Sequence, residues 1–144
     1  MKYALFFLIF TFFTTLTYSQ PVRFIEFKKA VNVTNVTLAR KDKDGVIEEN
    51  VNEFSPTDIP ILCFVDLSGE GPVRVTLEFI AVNVKSIKPN FKILKTSYQT
   101  KKDETLVTFT GKPEKLWFAG KYRVDILLNG KVVESRPFLV SVKE

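Results

Sequence analysis

Tyr122-Arg123-Val124-Asp125-Ile126-Leu127-Leu128-Asn129-Gly130-Lys131-Val132-Val133 reads as two strands and the turn that joins them, and it decides the fold class. Asn-Gly between apolar runs is the strongest short-range hairpin signal, because both residues tolerate the positive φ that a type I′ turn needs. A strict two-residue loop would set Asp125 opposite Glu134 and Arg123 opposite Arg136. Like charges across a ladder destabilise it. A bulge is therefore expected on the last strand, eased by Pro137, whose missing N–H suits an irregular position.

Upstream the same period-two pattern continues. In residues 73–79, Val73, Val75, Leu77 and Phe79 alternate with Arg74, Thr76 and Glu78, the mark of a half-buried antiparallel strand. The phase changes at Ile80-Ala81-Val82, which predicts a bulge or bend. Residues 61–67 carry Ile61, Cys63, Val65 and Leu67 on one face and apolar Leu62 and Phe64 on the other, as in a central strand covered on both sides. Val31, Val33, Val36 and Leu38 mark a first strand ending in the turn Lys41-Asp42-Lys43-Asp44-Gly45. Val46-Ile47 pairs back briefly, residues 48–53 form a loose acidic connection, and Ser55-Pro56-Thr57-Asp58 is a turn. Residues 91–98 make a weaker strand, 99–104 a charged loop and 105–110 another strand. A connection through Trp117 and Gly120 leads to the closing hairpin, whose last strand runs to about residue 142. About seven short strands with no sustained helical period predict an all-β antiparallel sandwich of two packed sheets.

The first residues follow a different rule. Met1-Lys2-Tyr3 carries one Lys, and the apolar run Ala4-Leu5-Phe6-Phe7-Leu8-Ile9-Phe10 continues through Phe12-Phe13 before turning polar. This is shorter than the roughly 20 apolar residues a spanning helix needs. It has the parts of a secretory signal peptide over residues 1–19, cut after Ser19 with Thr17 two positions before. An uncleaved anchor is the alternative; no Cys stands near the cut, which excludes a bacterial lipoprotein. Residues 20–30 are then a lead-in, with Phe24 and Phe27 suited to a sheet edge, and 31–144 one domain of ordinary size. The chain is expected to be exported, periplasmic or extracellular, and not membrane-spanning after cleavage. Its formal charge of +5 over 144 residues is too mild to argue specific nucleic-acid binding. The one cysteine, Cys63, leaves no internal disulfide. It reads as an inert core thiol; an intermolecular disulfide or a reactive site is the other reading.

The stretch Trp117-Phe118-Ala119-Gly120-Lys121-Tyr122-Arg123-Val124 resembles a small bacterial exported immunoglobulin-like β-sandwich domain entering its sixth strand. The resemblance extends over about residues 33–142. It implies a tyrosine corner, in which Tyr122, after the tight turn at Gly120, bonds back to the preceding loop. It also implies that Cys63 occupies the first core-cysteine position and faces Val124, which fills the second. The family's third-strand Trp is absent, and Leu77 or Phe79 takes its space. Such motifs specify a fold and are nearly silent on chemistry.

Chemistry is limited by what is missing. The chain has no His, which removes Ser-His-Asp and Cys-His catalysis and His-ligated zinc. No Gly-rich phosphate loop or nucleophile elbow occurs. The carboxylates open to paired acid–base work, Glu48, Glu49, Glu53, Asp58 and Asp66, lie mainly in turns. Asp42-Lys43-Asp44-Gly45 fails as a calcium loop, since the first and twelfth positions fall on Arg40 and Val51. No catalytic, cofactor-binding or metal residue is assigned, and no cofactor is expected. Lys85, Lys88, Lys92, Lys95, Lys101 and Lys102, interleaved with Phe91 and Tyr98, read either as edge protection or as a patch for an anionic polymer or a protein. Trp117 reads as a plug at the bottom of the sandwich, with an exposed binding tip formed with Phe118 as the alternative. The expectation is a non-enzymatic secreted binding or scaffolding module whose partner is an unknown protein or envelope polymer. A carbohydrate- or polyanion-binding module using the Lys85–Lys102 region is the second reading.

Overall fold

The described residues form nine strands: β1 (Asn32–Lys41), β2 (Ile47–Glu49), β3 (Glu53–Phe54), β4 (Ile61–Ser68), β5 (Arg74–Val84), β6 (Phe91–Gln99), β7 (Leu106–Gly111), β8 (Gly120–Leu128) and β9 (Lys131–Val140). They come from a computed structural model that describes residues 29–142. The signal-peptide reading of residues 1–19, and all of the lead-in except Lys29 and Ala30, lie outside the described residues. One sheet has the order β2-β1-β4-β7 and the other β3-β9-β8-β5-β6. The expected brief back-pairing after the turn forms β2, one residue later and longer than Val46-Ile47, and β3 arises at the end of the connection expected to be loose. The Asp42 carboxylate accepts the amides of Asp44 and Val46, folding β2 back on β1. Further on, β3 pairs in parallel with β9, so the sandwich is not wholly antiparallel.

The closing hairpin follows from its residues. Asn129 and Gly130 have φ of 48° and 86°, the left-handed pair that a tight turn needs. The register runs Leu128↔Lys131 and Leu127↔Val132, then steps to Ile126↔Glu134. Val133 is thus the extra residue of a bulge on β9. The step sets Asp125 opposite Ser135 and Arg123 opposite Pro137, which removes both like-charge pairs. On β5 the change of phase is real too: Ala81 pairs with Tyr122 and Asn83 with Lys121, leaving Val82 as the bulged residue.

Between the sheets lie the alternate residues of β4, β5 and β8. Cys63 and Val124, on opposite sheets, are both fully buried. Burial pushes the Cys63 thiol up to about 12. At one end the aromatic rings converge: Tyr122 stacks on Phe138 with centroids 5.2 Å apart, and Trp117 meets Phe79 at 5.5 Å. Such pairs contribute about 0.5–1.5 kcal/mol each beyond their buried area. Leu77 and Phe79 are wholly buried, and Trp117 reaches Phe79 from the β7–β8 loop. Gly111 allows this packing, because a Cβ there would overlap the Phe79 ring.

Two expectations about sheet faces need correction. The outer face of β4 is covered only at Leu62, whereas Phe64 and Asp66 are partly exposed. The outer face of β5 is not half-buried, since Thr76 and Glu78 are 4% and 6% exposed. Long side chains from β6 and β8 lie over that face and pair with the acids on it, as described below.

Candidate functional site

The end of the sandwich where the aromatic rings converge carries the most unusual surface. It is built by two connections. The first, between β5 and β6, makes two turns in succession: Ile87 N–H donates to Val84 C=O at 3.2 Å, and Phe91 N–H to Lys88 C=O at 3.1 Å. Ser86 and Asn90 take positive φ to allow them. The second connection, between β7 and β8, is pinned at Trp117 and Tyr122. Trp117 N–H donates to Pro56 C=O at 3.1 Å, and the Tyr122 hydroxyl donates to Phe118 C=O at 2.7 Å. The second bond is the tyrosine corner that the sequence resemblance implies. Burial raises the Tyr122 phenol above its usual range, against the opposing effect of its bond to the Phe118 carbonyl. Gly120 starts β8 beside Val84, where a Cβ would come within 2.7 Å of the Asn83 carbonyl oxygen.

Pinning the loop in this way turns Trp117 inward and leaves its neighbours outside. Trp117 is 3% exposed, but Leu116 and Phe118 are 54% and 65% exposed, and Phe91 across from them is 53% exposed. Trp117 therefore plugs the end of the sandwich, and Phe118 alone is the exposed tip. The Trp117 indole Nε1 is buried without an acceptor among the described residues. Between the two connections lies a cleft of about 770 Å³. Its lining includes Trp117 and Tyr122 from the core, with Ile87, Phe91, Leu116 and Phe118 among the apolar side chains around them.

Charge around this cleft is one-sided. Lys88 and Lys115 line it. Lys85 directly follows β5, Lys121 is the second residue of β8, and Lys112 precedes the lining residue Pro113. All five are exposed. Among the described residues none of the five forms an ion pair. The carboxylate in the lining is Glu114.

The structure divides the six lysines singled out in the sequence. Lys88 lines the cleft, and Lys85 directly precedes the lining residue Ser86. Lys92 and Lys95 reach the Glu78 carboxylate on β5, at 2.7 and 3.4 Å. Lys101 and Lys102 follow the far end of β6, and nine strand residues at about 3.4 Å each put them roughly 30 Å from Lys88. There the Glu104 carboxylate takes the Tyr98 hydroxyl at 3.1 Å and the Lys101 amide at 2.8 Å. That hydrogen bond raises the Tyr98 phenol above its usual range. The six lysines are thus a pair on the β5–β6 connection, a pair sharing one carboxylate on the sheet and a pair at a distant turn.

Sequence reasoning missed the acids that the fold buries. Glu78 and Asp125 stand directly opposite each other on β5 and β8, each 6% exposed. Asp125 accepts from Arg123 Nε at 3.0 and 3.1 Å and from Ser135 Oγ at 2.6 Å. Arg123 is in turn held by Asn90 Oδ1 at 2.9 Å. Alternation set Glu78 on the outer face of a half-buried strand, and only the cross-strand register discloses that Asp125 shares that face. Both carboxylates are occupied by cationic partners, and neither lines the apolar cleft. Of the acids named from sequence, Asp58 closes its own turn by accepting Ser55 N–H at 2.8 Å and pairs with Arg40 at 3.2 Å. The arrangement of these groups is that of structural ion pairs.

No family model and no curated protein matches the sequence. Solved structures do. An immunoglobulin-like protein from Pseudomonas aeruginosa superposes with a TM-score of 0.50 at 14% identity, over 78% of this chain and 97% of its own. A β-glucosidase from Listeria innocua superposes with a TM-score of 0.54 at 14% identity, over 79% of this chain. The likeness spans only 16% of that enzyme, and the same holds for its glucose complex at a TM-score of 0.52. At such identities these comparisons bear on architecture and not on activity. Two sheets, the tyrosine corner and this likeness together make the described chain an immunoglobulin-like β-sandwich.

Proposed function

We propose that this protein is an exported, non-enzymatic immunoglobulin-like module that binds or scaffolds a partner in the cell envelope or the extracellular space. Its binding surface is the apolar end between the β5–β6 and β7–β8 connections. The observation that carries this reading is the exposure of Phe91, Leu116 and Phe118 around one cleft. Exposed apolar side chains scattered singly are ordinary, but several gathered round a concavity mark a contact surface. Export rests on the character of residues 1–19, and no helix among the described residues is long and apolar enough to cross a membrane. A non-enzymatic role is supported by the buried acids Glu78 and Asp125, which are held in ion pairs with Lys92, Lys95 and Arg123 and line no part of the cleft.

The second reading, a polyanion-binding module along Lys85–Lys102, draws less support. A track for a charged polymer needs free cations in series, and Lys92 and Lys95 in the middle of this one are bound to Glu78. The test is chemical cross-linking in envelope extract, comparing the unaltered protein with Phe118→Ser and with Lys101→Ser/Lys102→Ser. Loss of a discrete cross-linked partner only in Phe118→Ser is the expected result. Loss only in the lysine variant would overturn the choice of surface.

A further inference from the structure

We propose that the cleft at this end takes a single anionic amphiphile: a molecule with an apolar chain or ring that enters the cleft and an acidic head group that stays at its mouth. The inference rests on the reading of this end as the binding surface and names what that surface accepts. Three features argue for it. The first is shape. At about 770 Å³ the cleft lies within the roughly 300–1,000 Å³ typical of sites for small organic ligands. A flat protein partner would leave such a concavity unfilled.

The second feature is chemistry. Ile87, Ile93, Phe91, Leu116 and Phe118 offer carbon almost without polar groups, so the part of the ligand that enters must be apolar. Burying each exposed ring against such a chain is favourable in proportion to the area removed from water. The third feature is charge. Lys88 and Lys115 stand in the lining, with Lys85 and Lys112 on the same two connections. Elsewhere on this fold lysines near a buried acid are paired, as Lys92 and Lys95 are with Glu78. At the cleft the two lining ammonium groups, Lys88 and Lys115, meet the single lining carboxylate Glu114, which leaves a surplus of positive charge where a head group would sit. A cationic or neutral amphiphile would gain the apolar contact and forfeit the charge complementarity.

Trp117 is the single tryptophan of the chain and lines the cleft, so its fluorescence reports occupancy directly. The experiment titrates the purified protein with monomeric dodecanoate, with dodecyltrimethylammonium and with vesicles of anionic phosphatidylglycerol. The expected result is a saturable change with dodecanoate, and binding at least tenfold weaker for the cationic amphiphile. In the double variant Lys88→Glu/Lys115→Glu, dodecanoate affinity should fall at least tenfold. Phe118→Ser should weaken it as well. All three substituted side chains are exposed, so circular dichroism and an unchanged melting temperature will separate lost binding from lost fold. Equal affinity for the two amphiphiles would overturn the proposal, as would no saturable change. Binding to anionic vesicles alone would also overturn it in favour of docking on a membrane surface. If dodecanoate fails but Phe118→Ser still abolishes cross-linking in envelope extract, the ligand class is wrong and the surface stands. If neither responds, both fall.

Discussion

Alkaline pH should weaken the fold through Cys63 by an amount that follows from its burial. The thiol lies at the centre of β4, fully buried against the opposite sheet, and burial raises it from 9.0 to about 12. A thiol ionises by losing a proton, so a raised folded value means that the folded state keeps the proton longer than the unfolded chain does. The associated stability is complete below pH 9 and is lost progressively as pH rises towards 12. At pH 10.5 the unfolded thiol is ionised and the folded one is not. A difference of about 1.5 pH units at 1.36 kcal/mol each makes the loss about 2 kcal/mol relative to pH 8. Lysines and tyrosines titrate in the same window, so the measurement is a difference. Urea unfolding of the unaltered protein and of Cys63→Ala, at pH 8 and pH 10.5 under reducing conditions, isolates the thiol. Cys63→Ala pays for its cavity equally at both values, so the stability gap between the two proteins should narrow by about 2 kcal/mol at the higher pH. A gap that stays constant would show that Cys63 ionises as readily in the folded state as in the unfolded one. The core placement would then be wrong.

Three further outcomes follow from the packing. Tyr122→Phe removes the 2.7 Å bond to the Phe118 carbonyl and should cost about 1–2 kcal/mol in urea unfolding, whereas no change would deny the corner a structural role. Gly111→Ala places a methyl against the Phe79 ring and should cost about 1–3 kcal/mol, read as a lowered melting temperature; a neutral result would mean that the two sheets separate easily at that point. The Glu78 ion pairs should be asymmetric: Glu78→Gln frees two exposed lysines and costs under about 1 kcal/mol. Lys92→Ala/Lys95→Ala strands a buried carboxylate opposite Asp125 and should cost about 3 kcal/mol, and equal costs would contradict the burial of Glu78.

How far the sequence could be read depended on whether a feature is local. Asn129-Gly130 and the like charges flanking it contain both the hairpin and its bulge, because turn geometry and cross-strand repulsion act over a few residues. Tyr122 was legible through the resemblance to an immunoglobulin-like domain, and the burial of Cys63 through the apolar run around it. The parallel pairing of β3 with β9 joins residues 53–54 to residues 139–140, and two residues carry no pattern that discloses a partner so distant. Glu78 looked solvated because alternation distinguishes the two faces of a strand but not which of them is covered. The cleft was hidden for the same reason. Phe91 opens β6 and Phe118 lies in the β7–β8 connection, and Ile87 and Leu116 are isolated apolar residues in loops until the fold brings those loops together. The lysine run shows the converse. Contiguity in sequence suggested one surface, but an extended strand spreads its residues over its whole length, and Glu78 takes the two in the middle.

That the apolar end binds, and binds an acid with an apolar tail, can be tested residue by residue with amide chemical shifts of the isotope-labelled protein during a dodecanoate titration. The account predicts saturable shifts concentrated in residues 86–93 and 113–118, with little change at Tyr98, Lys101 and Lys102. Shifts confined to residues 95–102, or spread evenly over both sheets, would contradict it.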